Sequence, residues 1–371
     1  MLDISLIMLA AGDSTRFSLP VKKQFIRLGD EPLWLYATKN LASFYDFKKI
    51  IVTSSNSAYM KKFTKDFHIV DGGESRSSSL KKALEFVDSN FVMVSDVARV
   101  FVSKDLFLRL INEANNYDCV SPFLTVCDTS LYGEKLIKRE EIKLIQTPQL
   151  SKTNLLKKAL GSEKEFIDDS SAIAYVGGKL GFVAGDEKTK KLTYKNDLKT
   201  MSLPPPEKEF FCGTGFDVHE FGEDRDLLLG GVKIPYHTGL KAHSDGDVLA
   251  HSLSDALLGA ANLGDIGEHF PNTSKVYKNA DSMKLLAKVY ELVLSYGFEL
   301  VNADITVVAE EPKLFKFKDE ISQNIANCLN VDSFKISVKA STTEKLGFIG
   351  RKEGIAVLCA VNLKYFDWTK I

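Results

Sequence analysis

Two clusters of polar residues in the 371-residue sequence have the types and spacing that phosphate chemistry requires. In the second half of the chain, Asp217 and His219 are two residues apart, so in an extended strand both side chains lie on one side and can reach one ion. His251 can complete a set of three ligands. One carboxylate and two imidazoles suit zinc and leave a fourth position for a substrate oxygen. Asp-x-His pairs are frequent by chance, so the pair alone is weak evidence.

The residues around His251 strengthen this hypothesis. A polar segment, 242–247, precedes a predicted helix over 248–261, on which Asp247, His251 and Asp255 recur every fourth residue and share one face. Two carboxylates and an imidazole on a helix otherwise filled with Leu, Ala and Val are costly to bury unless a metal or ligand compensates.

The other cluster follows the first apolar run of the chain. Small residues at 10–12 let the backbone approach phosphate oxygens, and Arg16 and Lys23 can neutralise a triphosphate. A glycine turn after a strand is common, and surface cations are usually only solvated, so the loop alone does not decide. The sequence here matches neither GxxxxGK[ST] nor GxGxxG, which argues against a P-loop ATPase and a dinucleotide dehydrogenase.

The elements that must position these residues alternate in type along the first half. Short β-rich runs alternate with helical patterns, which predicts an α/β fold with a mostly parallel sheet and crossover helices. The predicted strands are 4–9, 49–53, 91–95 and 118–123, and the predicted helices include 33–44 and 77–87. Because ligands of such sheets bind beyond the carboxyl ends of the strands, we expect chemistry in the loops after Leu9, Thr53 and Ser95.

The length of the chain predicts two domains, because one hydrophobic core rarely grows so large. Three successive prolines, Pro204 to Pro206, favour an extended segment that joins neither a helix nor a central strand. We therefore expect domains over 1–203 and 210–371, with a Pro-rich linker over 204–209. Five of the six histidines lie beyond the linker, which places metal chemistry in the second domain: His219, His237, His243, His251 and His269.

Composition excludes several classes of protein and of partner. A formal net charge of −1 leaves no broad basic surface for nucleic acid. The five cysteines are odd in number and never spaced as CxxC, which argues against a disulfide framework and a thiolate zinc site and suits a reducing cytoplasm. No apolar stretch approaches the roughly 20 residues that span a bilayer. The apolar start of the chain lacks a basic n-region, so we expect a buried strand and a soluble, cytoplasmic protein without a membrane partner.

The first half also contains a series of short motifs in a fixed order. They are Leu9-Ala10-Ala11-Gly12 with Arg16 and Lys23, Asp71-Gly72-Gly73-Glu74-Ser75-Arg76 with Ser79, Ser95-Asp96-Val97-Ala98-Arg99, Asp128-Thr129, Gln146-Thr147-Pro148-Gln149, and Asp168-Asp169 with Ala172. Each motif is weak alone, but the ordered set resembles the 2-C-methyl-D-erythritol 4-phosphate cytidylyltransferases over roughly residues 1–200.

This resemblance implies a Rossmann-like nucleotidyltransferase domain that transfers CMP from CTP, with Mg²⁺ or Mn²⁺ on the nucleotide phosphates, to 2-C-methyl-D-erythritol 4-phosphate. Arg16 and Lys23 would stabilise the pentacoordinate α-phosphate, while Arg139 and Lys191 would hold the methylerythritol phosphate. Positioning and fixed positive charge supply most of the rate in such reactions. The resemblance also implies a nucleotide-binding set, Ala10, Ala11, Gly12, Gly73 and Ser79, and a substrate-binding set, Asp96, Arg99 and Thr129.

Longer motifs surround the histidines of the second half. They are Ala242-His243-Ser244-Asp245-Gly246-Asp247, Gly264-Asp265-Ile266-Gly267, His269-Phe270-Pro271, Lys339-Ala340-Ser341-Thr342-Thr343-Glu344-Lys345-Leu346-Gly347-Phe348 and Gly350-Arg351. Together they closely resemble the 2-C-methyl-D-erythritol 2,4-cyclodiphosphate synthases over about residues 211–363. This implies an α+β domain that releases CMP from 4-diphosphocytidyl-2-C-methyl-D-erythritol 2-phosphate and forms the cyclic diphosphate.

By this resemblance Asp217, His219 and His251 bind Zn²⁺, and His243 and Thr342 steady the transition-state oxygens. A second divalent ion, Mg²⁺ or Mn²⁺, would lie near Glu344. The implied substrate-binding residues are Asp265, Gly267, Ser341, Thr343, Glu344, Phe348 and Arg351. The family's trimers, with sites between subunits, imply that segments 309–315 and 341–344 hold the nucleotide across an interface, and dimers through the first domain would give hexamers.

The sequence departs from both families at a few positions. The usual Asp-Ala-Ala-Arg-Pro is Asp96-Val97-Ala98-Arg99-Val100 here, and Lys22 replaces the proline expected before Lys23. In the second domain, Ser341 replaces a threonine, and Asn272 and Ser274 stand where aspartates are frequent.

Two rival hypotheses come from other functional classes. A metal-dependent phosphohydrolase fused to a sugar nucleotidyltransferase would use the same ligand types but give linear products. A non-catalytic scaffold is expected to have lost Arg16 or Lys23, and both are present.

Overall fold

The computed structural model describes residues 2–271, 273, 277 and 280–371, so Asn272 and Ser274 lie outside the described residues. The chain divides into two compact units, Met1–Pro205 and Pro206–Ile371. The residues flanking this division, 203–209, form no helix, as expected for three successive prolines.

The N-terminal unit consists of strands alternating with helices. Its strands are β1 (Ile4–Leu9), β2 (Arg27–Leu28), β3 (Glu31–Pro32), β4 (Ile50–Ser54), β5 (His68–Asp71), β6 (Phe91–Asp96), β7 (Cys119–Thr125), β8 (Ser130–Tyr132), β9 (Lys135–Ile137), β10 (Lys143–Ile145), β11 (Gln149–Lys152) and β12 (Leu180–Ala184). Its helices are α1 (Leu33–Ala42), α2 (Ser57–Met60), α3 (Arg76–Leu84), α4 (Lys104–Glu113), α5 (Thr153–Leu160), α6 (Asp169–Tyr175) and α7 (Asp197–Thr200).

The central sheet has eight strands in the order β10-β7-β11-β6-β1-β4-β5, with β12 paired to β7. Strands β5, β4, β1 and β6 are parallel neighbours, and β12 is parallel to β7, whereas β11 and β10 run antiparallel to their neighbours. The predicted α/β fold with a mostly parallel sheet is therefore confirmed.

Apolar strand residues and helix faces form the core of this unit. Ile7, Val92 and Val94 are fully buried, and residues of α3 and α5, among them Leu80 and Leu156, pack against them. The predicted strands and helices are present with ends that agree to within three residues. Helix α3 starts at Arg76 because the Ser75 side chain caps it, accepting a hydrogen bond from the Ser78 amide at 3.0 Å.

The short hairpin of β8 and β9 is a surface feature of this unit. Leu131, Tyr132 and Leu136 on the hairpin are 63%, 79% and 73% exposed. Isolated apolar side chains on a surface are ordinary, but three on one short hairpin indicate a contact surface.

The C-terminal unit is built on one mixed sheet covered by helices. Its strands are β13 (Phe210–Glu223), β14 (Leu227–Leu229), β15 (Val232–Ile234), β16 (Gly239–Leu240), β17 (Phe298–Val308), β18 (Ile336–Ser341) and β19 (Gly354–Tyr365). Its helices are α8 (Val248–Ala260), α9 (Ile266–His269), α10 (Ser282–Ser295), α11 (Lys318–Leu329) and α12 (Gly347–Gly350). The sheet order β16-β13-β19-β17-β18 is antiparallel except for the parallel pair β17–β18.

Helix α8 packs on β13 and β19, and α10 packs on α8. The buried face of α8 is apolar, and Leu249, Leu253 and Leu257 on it are fully buried. Alternate side chains of β13 instead stay exposed, and Phe210 and Phe216 are 67% and 63% exposed. The sheet therefore carries an apolar surface that the described residues of this chain leave uncovered.

All five cysteines are free, which agrees with the expected absence of disulfides. Within the part of the chain that the structure describes, no helix has both the length and the apolar character needed to cross a membrane.

Candidate active sites

A cavity of about 880 Å³ opens at one edge of the N-terminal sheet. Its walls are the segments that follow the carboxyl ends of β1, β4, β5 and β6, together with Lys191 from the loop after β12. The loops after Leu9, Thr53 and Ser95 therefore meet there, as binding sites of parallel sheets do.

Hydrogen bonds hold the 10–16 loop in place against its neighbours. The Ala10 amide donates to the Thr53 hydroxyl at 3.2 Å, and the Gln24 side-chain amide donates to the Gly12 carbonyl at 3.0 Å. The Ser14 hydroxyl accepts from the Lys23 amide at 3.1 Å, which ties the loop to the cation. A Cβ at Gly12 would meet no protein atom within 4 Å, so packing does not require glycine there. The missing side chain keeps this part of the cavity free for a ligand.

Four of the charged side chains that line the cavity interact with one another: Arg16, Lys23, Lys191 and Asp96. The Lys191 ammonium contacts an Asp96 carboxylate oxygen at 2.6 Å. Burial and the positive charges of Lys191 and Arg16 together lower the pKa of Lys23 to about 8, although the negative charge of Asp96 opposes this shift. Burial alone would raise the pKa of Asp96, but the positive charge of Lys191 holds it below its ordinary value. This cluster of cations can stabilise phosphate charge.

The opposite wall comes from the start of α3. Ser79 is buried, and its hydroxyl accepts a hydrogen bond from the Gly73 amide at 2.9 Å. A Cβ at Gly73 would lie 2.1 Å from the Ser78 hydroxyl oxygen, so only glycine fits this turn. Of the residues predicted for this site, Ala10, Ala11, Gly12, Arg16, Lys23, Gly73, Ser79, Asp96 and Lys191 line the cavity.

Three predicted residues do not line this cavity: Arg99, Thr129 and Arg139. The Arg99 guanidinium donates to the Thr189 carbonyl at 2.8 Å, which ties it to the loop carrying Lys191. Thr129 and Arg139 are exposed beside the β8–β9 hairpin, where the Arg139 guanidinium donates to the Cys127 carbonyl at 2.8 Å. Within one chain, these two residues do not join the other predicted groups.

An ion pair behind the cavity was not predicted from the sequence. Arg76 lines the cavity and contacts the carboxylate of the fully buried Asp169 at 3.0 Å. Burial raises the pKa of Asp169 to about 6, although the charge of Arg76 opposes this shift. Arg76 and Asp169 each belong to a motif of the ordered set in the first domain, but the sequence does not indicate that they pair across 93 positions.

A second cavity, of about 330 Å³, lies in the C-terminal unit between β13, α8 and the segment around α9. Asp217, His219 and His251 line it. One Asp217 carboxylate oxygen lies 3.1 Å from the His219 Nε2 atom and 3.3 Å from the His251 Nδ1 atom. Among the residues that the structure describes, these three form the group of His, Cys, Asp or Glu whose ligand atoms lie close enough together to hold one ion.

Close packing of β13 on α8 brings the three side chains together. A Cβ at Gly215 would lie 1.9 Å from the Ser252 carbonyl oxygen, and one at Gly213 would lie 2.2 Å from that of Ala256. Glycine at both positions therefore lets the strand contact the helix backbone directly. Asp217 and His219 follow on the strand, opposite His251 on the helix.

The chemistry of this group fits a divalent metal. The His219 Nδ1 atom is buried and makes no hydrogen bond. Burial disfavours protonation of His251, but the hydrogen bond and negative charge of Asp217 outweigh it and raise the His251 pKa. Burial likewise opposes ionisation of Asp217, whose pKa the two imidazoles nevertheless hold well below its ordinary range. A carboxylate oxygen and two imidazole nitrogens, Nε2 of His219 and Nδ1 of His251, that meet around one point match a cation site.

The predicted placement of Asp247 on one helix face with His251 and Asp255 requires a correction. Asp247 is not on the helix face beside His251 but caps α8, and its buried carboxylate accepts hydrogen bonds from the amides of Gly230, Gly231 and Ala250. Asp255 lines the cavity, and its carboxylate accepts from the Ile266 amide at 2.8 Å. Backbone donors, and not a metal, therefore compensate the burial of Asp247.

The remaining predicted residues of this domain fall into two places. His243 and Gly267 line the cavity of the C-terminal unit. Asp265 caps the neighbouring turn by accepting a hydrogen bond from the Glu268 amide at 3.0 Å. The others lie on β18 or between β18 and β19, away from the cavity: Ser341, Thr342, Thr343, Glu344, Phe348 and Arg351. Within one chain they do not meet Asp217, His219 and His251.

The 341–344 segment is nevertheless organised with the 309–315 segment. Val308 pairs with Ser341, and the Glu310 carboxylate accepts hydrogen bonds from the amides of Thr343 and Lys345 at 3.0 Å each. Glu344 has a backbone φ of 52°, and its carboxylate accepts a hydrogen bond from the Thr342 hydroxyl at 2.7 Å. Both segments thus present their polar groups on one exposed surface.

Comparisons with known proteins cover both units of the chain. Residues 4–203 match the family description 2-C-methyl-D-erythritol 4-phosphate cytidylyltransferase, IspD, and residues 210–364 match the YgbB family. A bifunctional enzyme IspD/IspF of Campylobacter jejuni subsp. jejuni is 64% identical over 371 residues, covering 100% of both chains. That of Campylobacter lari is 62% identical with the same coverage. A solved structure of the bifunctional IspDF from Campylobacter jejuni matches with a TM-score of 0.95 and 64% identity over 99% of this chain and 100% of that chain.

Proposed function

Because this chain belongs to the family of bifunctional IspD/IspF enzymes, we propose that its N-terminal cavity is the cytidylyltransferase site and its C-terminal cavity the cyclodiphosphate synthase site. The chain catalyses both reactions of that family in isoprenoid-precursor synthesis. It transfers CMP from CTP to 2-C-methyl-D-erythritol 4-phosphate and releases diphosphate. It also cyclises 4-diphosphocytidyl-2-C-methyl-D-erythritol 2-phosphate and releases CMP. The observation that carries the proposal is that each unit holds its own cavity with its own reactive groups.

In the N-terminal cavity, backbone groups of the 10–12 loop and of Gly73, with the Ser79 hydroxyl, hold the nucleotide. Arg16 and Lys23 stabilise the charge that develops on the α-phosphate during attack. The half-buried position of Lys23 supports this role, because a cation in a low-dielectric environment acts more strongly on a phosphate than a solvated one. Mg²⁺ or Mn²⁺ accompanies the nucleotide phosphates.

The attacking 4-phosphate of the methylerythritol substrate binds near Lys191. Asp96 holds the Lys191 ammonium in place at 2.6 Å and faces the substrate hydroxyls. Arg99 supports the same loop through its bond to Thr189. Aligning the two reactants in this way supplies much of the rate of a nucleotidyl transfer.

Assembly explains why Thr129 and Arg139 lie outside the cavity of their own chain. The exposed apolar residues of the β8–β9 hairpin support a dimer through the N-terminal unit. In such a dimer the neighbouring Thr129 and Arg139 reach a substrate site. The exposed Phe216 side chain and the separation of the 341–351 segment from the metal ligands similarly support a trimer through the C-terminal unit, so that dimers and trimers together give a hexamer or a larger closed particle.

In the C-terminal cavity, Asp217, His219 and His251 hold Zn²⁺, which suits their donor types better than Mg²⁺ does. Bound zinc supplies a Lewis acid for a phosphate oxygen. His243 lines the same cavity and, with Thr342 of the interface, contacts the transition-state oxygens while the 2-phosphate displaces CMP. Asp265 and Gly267 bind the erythritol hydroxyls, and Ser341, Thr343, Phe348 and Arg351 hold the nucleotide. Glu344 faces a second divalent ion.

We place the enzyme in the cytoplasm, with residues 204–209 as the linker between the two domains. Five free cysteines support a reducing compartment.

Product analysis with the purified chain tests this proposal. The two reactions are not consecutive, because a kinase must phosphorylate the intermediate between them. With CTP and 2-C-methyl-D-erythritol 4-phosphate alone, the chain should release diphosphate and accumulate 4-diphosphocytidyl-2-C-methyl-D-erythritol. With ATP and that kinase added, CMP and the cyclic diphosphate should appear. A linear product in place of the cyclic one would instead identify the C-terminal site as a phosphohydrolase.

A further inference from the structure

The ring of His251 has contacts on the side away from the proposed metal. Its Nε2 atom lies 2.9 Å from the Ser282 hydroxyl oxygen at the start of α10 and 3.1 Å from the Ser244 hydroxyl oxygen. Ser282 is 1% exposed, so water does not compete for this contact. The other ring nitrogen, Nδ1, faces Asp217 at 3.3 Å.

The hydroxyl of Ser282 has a stronger partner than the imidazole. It donates to an Asp245 carboxylate oxygen at 2.5 Å, and the Ser282 amide donates to the other Asp245 oxygen at 3.0 Å. A serine hydroxyl has one proton, and an ionised carboxylate can only accept. The Ser282 proton is therefore committed to Asp245, and the Ser282 oxygen can only accept from His251.

We propose that Asp245 and Ser282 are positioning residues that fix the proton of His251 on Nε2, so that the Nδ1 lone pair stays available to a metal ion. The hydrogen bonds run in one direction, from His251 Nε2–H to the Ser282 oxygen and from the Ser282 hydroxyl to Asp245. This inference rests on the proposed metal site and assigns to it two residues that are not ligands. A partner on the far nitrogen of a metal-binding imidazole fixes its tautomer and orientation, and its loss typically lowers metal affinity about 10–100-fold.

The direction of these hydrogen bonds predicts different effects for substitutions of Ser282 and of Asp245. Ser282→Ala removes the acceptor, but the Ser244 hydroxyl remains beside Nε2, so the loss of metal affinity should be about tenfold. In Asp245→Asn, the orientation that keeps the bond from the Ser282 amide turns the side-chain NH2 group towards the Ser282 oxygen, where it donates, and gives up the 3.2 Å bond from the Asp247 amide. The Ser282 hydroxyl is then free to donate to Nε2, which places the imidazole proton on Nδ1, where the metal must bind. We expect a loss nearer to 100-fold.

Zn²⁺ affinity of the full chain, measured in competition with a chromogenic chelator, tests the proposal without an activity assay. Removing the misdirected hydroxyl should rescue Asp245→Asn, so the double variant Asp245→Asn/Ser282→Ala should bind Zn²⁺ about as well as Ser282→Ala alone. Ser254→Ala is the matched control, because its buried hydroxyl donates only to the Ala250 carbonyl of its own helix. We expect this control to bind Zn²⁺ within threefold of the parent.

The outcomes separate this inference from the proposal beneath it. Losses that multiply in the double variant would show that the two residues only stabilise the local structure and would overturn the inference. Ser282→Ala binding within threefold of the parent would also overturn it. A parent chain that binds Zn²⁺ no better than His251→Ala would instead refute the proposed metal site.

Discussion

The lowered pKa of Lys23 predicts how cytidylyl transfer depends on pH. Lys23 must be protonated to stabilise phosphate charge, and its pKa is lowered to about 8 by burial and by the charges of Lys191 and Arg16. A group with this pKa is about 90% protonated at pH 7 and about 10% protonated at pH 9. The rate constant kcat/KM, which reports on the free enzyme, should therefore fall about tenfold between these pH values. The phosphates of the substrates, with a second pKa of about 6, are already about 90% ionised at pH 7 and change little above it.

Diphosphate release from CTP, at subsaturating 2-C-methyl-D-erythritol 4-phosphate, measures this rate constant. Lys23→Arg is the matched control, because a guanidinium stays charged throughout the range. At pH 7 this variant should be less active than the parent, since the guanidinium does not place its charge where the Lys23 ammonium does. Its activity should not decline towards pH 9. A flat profile in the parent, or the same decline in Lys23→Arg, would refute the reasoning that places a buried, partly titrating Lys23 at the α-phosphate.

The remaining predictions concern packing and assembly. Gly215→Ala should abolish metal binding, measured by metal analysis of the purified variant, because its Cβ would lie 1.9 Å from the Ser252 carbonyl and force β13 away from α8; Gly259→Ala, on the exposed side of the same helix, has open space and should keep the metal. Asp247→Ala leaves three amides unpaired, two of them buried, and should lower the free energy of unfolding of the C-terminal unit by about 3 kcal/mol, measured by denaturant titration. Light scattering at micromolar concentration should give a hexamer or larger, and a monomer with full cyclase activity would contradict the proposed interfaces.

Strands β1, β4 and β6 of the N-terminal sheet could be predicted because they are five or six residues long and mostly apolar. Ile4 to Leu9, for example, has five buried residues of six. Strands β10 and β11 have only three and four residues with mixed polarity, so neither their existence nor their antiparallel direction could be derived from periodicity. Length and apolar content therefore determine which strands a sequence reveals.

The pairing of side chains was harder to predict than their identity. Asp247 fits a helix-face pattern with His251, but the same spacing also fits an N-cap, and only the position of the Gly230–Gly231 turn distinguishes the two. Ser282 lies 31 positions after His251, and the packing of α10 on α8 brings them together. Thr129 and Arg139 lie apart from the other residues of their predicted site, and the sequence motifs do not state which loops the fold brings together.

Reciprocal variants test most directly the central claim that one chain holds two independent active sites. Lys23→Ala and His251→Ala are each assayed for cytidylyl transfer, for cyclisation of the phosphorylated intermediate and for bound zinc. Lys23→Ala should lose cytidylyl transfer and keep zinc and cyclisation. His251→Ala should lose zinc and cyclisation together and keep cytidylyl transfer, because the removed imidazole is one of three protein ligands. Full cyclase activity in His251→Ala without zinc, or parallel loss of both activities in either folded variant, would contradict the account.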